Sequence, residues 1–171
     1  MLSIERVELR HGPRFLEAVR RSKKLHAAWV SPPDSPDAVR EFVEKCSGDR
    51  NISYVAVNHE SDLIGCINLN EIVRGPFQSA FLGFYAFVPF DGTGLMKQAM
   101  KLVATEAFTT HRLHRLEANI QPSNERSKRF VRSLGFRYEG YSPRYLKIGG
   151  QWRDHERYAI TVDDWKAIQR H

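Results

Sequence analysis

A chain of 171 residues, 42% hydrophobic and 27% charged, is long enough for a single domain (residues 1–171) with a real core. Its formal net charge of +6 draws polyanions such as nucleic acid, ribosomes or a phosphate-rich cofactor, although outside Arg20 to Lys24 and Arg126 to Arg132 the cations are scattered. No run approaches the roughly 18 apolar residues that span a bilayer, and Met1 to Arg6 lacks the basic-then-apolar order of a signal peptide, so no membrane partner and a cytoplasmic location are expected.

Ser3 to Leu9 alternates apolar and polar residues and predicts a first strand. Gly12-Pro13 starts a helix expected to run to about Ala28. Ser35 caps a second helix with Pro36 in its first turn, and Gly48 stops it. Ile52 to Val57 and Leu63 to Leu69 flank the turn-like Asn58 to Asp62 and read as a hairpin. Phe81 to Val88 is nearly all apolar, as in a strand covered on both faces. Leu95, Met96, Ala99, Met100, Val103, Ala107 and Phe108 recur at helical spacing. Arg115 to Gln121 is a strand, Asn124 caps a helix over Glu125 to Leu134, and Gly135 closes it. Arg137 to Ile148 and Trp152 to Val162 are two last strands joined at Gly149-Gly150. The order β-α-α-β-β-β-α-β-α-β-β predicts an α/β (α+β) domain: a mixed sheet with helices on its faces. Cys46 and Cys66 are too far apart for a Cys-x-x-Cys pair, so reduced core thiols and no metal are expected.

The turn Pro89-Phe90-Asp91-Gly92-Thr93-Gly94 sits between a buried strand and a helix N-terminus. Orphan amides and the helix dipole collect at such a point and suit phosphate. A lone Gly-x-Gly is weak evidence, and a plain tight turn explains it too. No Lys-Ser/Thr pair follows, so this is no mononucleotide P-loop, and Lys97 breaks the dinucleotide fingerprint.

Several spaced segments then fall in a telling order. Pro89 to Ala99 is followed by Leu113 to Asn119, Pro122-Ser123-Asn124-Glu125-Arg126-Ser127 and Leu134-Gly135-Phe136. Glu139-Gly140-Tyr141, Tyr145-Leu146, Gly150 to His155 and Asp164-Trp165 extend the pattern. Over roughly residues 62 to 165 the chain resembles the GNAT N-acetyltransferases, and within them the RimJ/RimL branch, on its RimJ side. The resemblance implies the GNAT acyl-CoA N-acyltransferase fold. That is a mostly antiparallel sheet of six to seven strands, with one parallel pair splayed apart and helices on both faces.

It also implies acetyl-CoA, bound where Phe81 to Val88 and Arg115 to Gln121 separate. Its pantetheine arm would pair with backbone near Phe87 and Val88. Its diphosphate would lie on the N–H groups of Gly92, Thr93, Gly94, Leu95 and Met96. Pro89 and Thr93 stand where the family often has a Gln or basic residue, so two charged contacts are missing, and the Thr93 hydroxyl is left to donate. Asn124 is read as both cap and cofactor contact. Ser127 is either a satisfied structural serine or, as the resemblance implies, the hydroxyl that serves the departing thiolate.

Glu117, Asn119 and Gln121 alternate onto one face. Glu117 is the expected base, against a reading as a structural partner of an arginine. Tyr85 and Glu71 are weaker options, and Leu146 stands where a relative's base would be. Tyr85, Asn119 and Trp152 are expected to bind substrate. Asp154 reads as structural and His155 as a marginal site residue. The implied reaction acetylates a primary amine, the α-amine of a protein N-terminus or a small amine. The rival is a non-catalytic CoA- or ribosome-binding module. Ribosome association and a monomer or homodimer are the expected partners and states.

Overall fold

A computed structural model describes residues 1–170. Its strands are β1 (Ser3–Arg6), β2 (Ile52–Val57), β3 (Leu63–Val73), β4 (Ser79–Ala86), β5 (Arg115–Ile120), β6 (Arg137–Ile148) and β7 (Gln151–Thr161). They form one sheet in the order β1-β2-β3-β4-β5-β7-β6. Only β4 and β5 run parallel; the other neighbours are antiparallel. The helices are α1 (Gly12–Arg21), α2 (Lys23–His26), α3 (Pro36–Lys45), α4 (Leu95–Phe108), α5 (Glu125–Ser133) and α6 (Val162–Gln169).

Strand alternation sorts side chains into two cores. Val55, Val57 and Cys66 face α1 and α3, meeting Phe15, Val19 and Val39. Tyr54, Ala56, Ile67, Leu69, Leu82 and Leu116 face the other way, meeting Met100 and Val103 of α4, Val131 of α5 and Trp165 of α6. Each fully buried Ile or Leu contributes about 1.5–3 kcal/mol. Both cysteines are buried and free.

The first helical layer covers only part of its face. Beyond Cys66 the inward positions become Asn68 and Asn70 on β3 and Glu117 and Asn119 on β5, all half-buried. Asn68, Asn70 and Asn119 line the space that opens on this half of the face.

Several elements differ from the sequence expectation: β1 stops at Arg6 and a 3-10 turn (Leu9–His11) takes up the expected strand end, and β4 spans Ser79–Ala86 rather than Phe81 to Val88. The first helix breaks at Ser22, whose hydroxyl accepts from the Val88 amide at 2.9 Å. β3 runs on to Val73 past an irregularity after Asn70. Helix α6 was not expected. Thr161 and Asp164 form its capping box, so the strand before it ends one residue earlier than read.

Helix α4 starts directly over β3. A Cβ on Gly65 would lie 2.7 Å from the Tyr85 carbonyl oxygen and 2.3 Å from the Met96 sulfur. Gly65→Ala is expected to cost about 1–3 kcal/mol through overpacking, read as a lowered Tm in calorimetry with the purified variant still folded.

Candidate active site

β4 and β5 pair only where Ser79, Ala80 and Phe81 face Arg115, Leu116 and Glu117. Beyond that they part, because each is held elsewhere. β5 follows β7 along its whole length, from Arg115 opposite Thr161 to Ile120 opposite Glu156. The end of β4 is tied to the first two helices. His26 Nε2 donates to the Ala86 carbonyl at 2.7 Å, and Arg21 Nε donates to the Val88 carbonyl at 2.6 Å. The Phe87 amide donates to Ile64 at 2.8 Å, and its ring is fully buried 5.6 Å from Phe15.

These bonds move the expected pantetheine contact. Phe87 and Val88 have their amides taken, and neither lines the cavity. The Phe87–Ile64 bond fixes the alternation. Tyr85 and Gly83 then turn their backbone groups to β3, while Phe84 and Ala86 turn theirs to the gap. With the Ala86 carbonyl committed to His26, Phe84 offers the gap-facing amide and carbonyl.

The gap is a cavity of about 970 Å³. One end is the glycine turn, with Gly92 at φ +75° and Gly94 at φ +85°, a region that favours glycine. Among the described residues the amides of Gly92, Gly94 and Met96 have no hydrogen-bond partner. The Thr93 amide and hydroxyl both go to the Phe90 carbonyl, the hydroxyl at 2.5 Å, and the Leu95 amide leans on that hydroxyl at 3.4 Å. Thr93 therefore braces the turn and has no proton to donate outward. Three open amides at the start of a 14-residue helix suit a diphosphate. Lys97, Arg126 and Arg129 line the same end, and Arg126 reaches Asp91 at 3.4 Å. They supply the charge that Pro89 and Thr93 withhold. The residues present thus fit the phosphate portion of a coenzyme A thioester.

Helix α5 brings Asn124 and Ser127 to the wall. The Asn124 side chain accepts the Ser127 amide at 3.2 Å as the N-cap. The Ser127 hydroxyl makes no hydrogen bond among the described residues, and Phe130 beside it packs on Phe84 at 5.1 Å. Across the cavity the Asn119 side-chain oxygen is buried without a partner. A buried acceptor without a donor suits an N–H that a ligand brings.

Residues 2–137 match the Acetyltransferase (GNAT) domain. The chain belongs to the GNAT acetyltransferase family. It is 41% identical over 106 residues to the ribosomal protein uS5-alanine N-acetyltransferase of Escherichia coli K12, covering 62% of this chain and 55% of that protein. The match thus spans little more than half of that relative. The probable N-acetyltransferase YjcK of Bacillus subtilis is 35% identical over 127 residues, 74% of this chain and 70% of its own. The solved structure of ribosomal-protein-S5-alanine acetyltransferase from Vibrio fischeri superposes with a TM-score of 0.83 at 26% identity, covering 96% of this chain and 94% of that one.

Within this GNAT domain several expected site residues change place. Glu117 does not line the cavity. Arg115 holds its carboxylate at 2.8 Å and also binds Glu139, whose carboxyl that guanidinium keeps below its usual range. The structural reading of Glu117 wins by geometry. Trp152 is 61% exposed and outside the cavity; its neighbour Arg153 takes the inward side of β7. Tyr85 does line the wall, packed on Phe15, His26 and Phe87, and burial pushes its hydroxyl well above the usual tyrosine range, so it stays protonated. Asp154 accepts from the Tyr141 hydroxyl and the Arg144 amide, a structural role.

His155 is 3% exposed and lines the cavity. Its Nδ1 donates to the Arg153 carbonyl at 2.9 Å, which leaves Nε2 as the acceptor nitrogen. Glu71 lines the wall at φ +51°, its carboxylate tied to Arg50. The arginines of α5 were the residues that sequence reading missed. The signal was the basic run after Asn124, in which Arg126 and Arg129 share a face.

Glu117→Gln is expected to lower Tm while keeping the rate of coenzyme A release within about threefold of the parent. Loss of a general base would instead cost about 100- to 10,000-fold. Arg126→Ala is expected to weaken coenzyme A binding about three- to tenfold by titration calorimetry, as one partly exposed charged contact is lost.

Proposed function

We propose that the protein transfers an acetyl group from acetyl-CoA to the α-amine of a protein N-terminus, with a ribosomal protein as the leading acceptor. The gap between β4 and β5 carries this reading. It opens at one end on free amides and arginines, and at the other on Asn119, His155 and a solvent mouth. Two ligands can therefore meet head to head inside one sheet.

When bound, acetyl-CoA supplies an electrophilic thioester carbonyl and a thiol leaving group. The amides of Gly92, Gly94 and Met96 hold its diphosphate, with Lys97, Arg126 and Arg129 beside them. Phe84 offers backbone pairing in the gap. Asn119 accepts an N–H of the incoming amine and orients its lone pair. Ser127 keeps a proton available for the departing sulfur. An α-amine has a pKa of about 7.7–8.0 and is partly neutral near pH 7, so His155 or water suffices to take its proton.

A polyamine is the rival acceptor. Its several ammonium groups would need several carboxylates, and the wall holds only Glu71, already paired with Arg50. A cytoplasmic location is part of the same proposal, because the acceptor is a ribosomal protein.

Coenzyme A release measured against N-terminal peptides, spermidine and free amino acids tests the assignment. Turnover is expected on peptides beginning with Ala or Ser; turnover on spermidine alone would refute it. Ser127→Ala is expected to lower kcat about 10- to 100-fold with coenzyme A affinity unchanged, the mark of a group needed in the transition state.

A further inference from the structure

The active-site cavity continues into a mouth of about 760 Å³, sharing Trp29, Tyr85, Gln121 and Ile148 among its walls. The segment 27–33 borders it on one side and the turn between β6 and β7 on the other. Three cations line it: Lys45 from α3, Lys147 from β6 and Arg153 from β7. All three are exposed, and none makes an ion pair among the described residues. No carboxylate lines the mouth.

Several other surface cations are compensated by neighbouring acids. Arg10 lies against Glu5 and Glu8, Arg40 against Asp37, and Arg137 against Asp164. At the mouth three separate elements bring cations around one concavity, Lys147 at its rim in register with the outward Trp152, and no carboxylate lines the same wall. The remaining polar wall is neutral, from the amides of Asn68, Asn70 and Gln121 and the hydroxyl residues Ser31 and Tyr85. Lys147 and Arg153 also lie beyond residues 2–137, the span that matches the family.

We propose that the mouth selects acceptors carrying negative charge in the first few residues after the reacting amine, so that the substrate class is an acidic N-terminal peptide. This rests on the acetyl-transfer reading above. The mouth is continuous with Asn119 and His155, so a chain whose amine sits there must leave past Lys147 and Arg153. An extended chain rises about 3.3 Å per residue, which keeps its early side chains within reach of these cations.

Initial rates at saturating acetyl-CoA decide it, using peptides that begin Ala-Ser and continue with three Glu, three Gln or three Lys. The Glu peptide is expected to exceed the Gln peptide about tenfold in kcat/KM, with the Lys peptide lowest and the spread shrinking as salt rises. A Lys147→Glu/Arg153→Glu double variant is expected to invert the order while leaving the KM for acetyl-CoA and the Tm unchanged. Equal kcat/KM on all three peptides would overturn the charge preference and leave N-terminal acetylation standing. Fluorescence anisotropy of the same peptides with coenzyme A present separates the two ideas. Ranked affinities without any turnover would refute acetylation but keep the preference; equal affinities would overturn it. A uridine oligomer that displaces the Glu peptide as strongly as unlabelled Glu peptide would assign the mouth to RNA and overturn it as well.

Discussion

Everything at this site depends on the end of β4 being held away from β5. Parallel strands that begin in register normally continue to pair, since each unmade backbone bond in a buried setting costs about 1–3 kcal/mol. Here that tendency is outweighed from both sides. Phe87 is locked into the core under α1, while Ser22, Arg21 and His26 take backbone groups of Ala86 and Val88. On the other side β5 is committed to β7. The opening is thus built by bonds outside it, and Phe84 is left with a strand edge that a ligand can complete.

The same bonds explain an irregularity in the first helical layer. Ser22 separates α1 from α2, and its hydroxyl serves a strand end 66 residues away in sequence. A continuous helix from Gly12 to Ala28 is what local pattern favours. A hydroxyl recruited by a distant amide leaves no local trace, so the break could not be read. By contrast, Ser35 with Pro36 and Asn124 before Glu125 are local chemistry, and both cap as their sequence indicates. Helix α6 lies between these cases. Its Thr161-x-x-Asp164 box was in plain sight, but the apolar run before it read as strand to Val162.

The site was legible to the same degree. The glycine turn and the face of Asn119 show in type and spacing, Ser127 needed the family resemblance, and the chain does bring them to one cavity. Strand parity was the weak link. A shift of one residue separates Phe87, which faces the core, from Phe84 and Ala86, whose backbone faces the gap, and only the long-range Phe87–Ile64 bond sets it. Glu117 had the right face but the wrong company, because Arg115 and Glu139 reach it from the same sheet. In α5 the charges divide by rotation. Lys128 is buried against Glu125 and Glu156 at 2.7 and 3.0 Å, whereas Arg126 and Arg129 turn to the cavity. Composition alone reads all of them as one basic run.

The net charge acquires a shape once these residues are placed. Lys97, Arg126 and Arg129 stand at one end of the gap, and Lys45, Lys147 and Arg153 at the other. Between them lies a wall of amides with one compensated carboxylate, Glu71. Positive charge at both ends has two effects. It favours an anionic donor and an acceptor with acidic flanking residues. It also lowers the pKa of any amine held between, because like charges disfavour the protonated form. An α-amine, already about a tenth neutral near pH 7, then needs little help to present its lone pair. On the proposed reaction the site would need no strong carboxylate base, which neither Glu117 nor Leu146 supplies. A lysine side chain starts about 2.5 units higher and would gain too little from the same field.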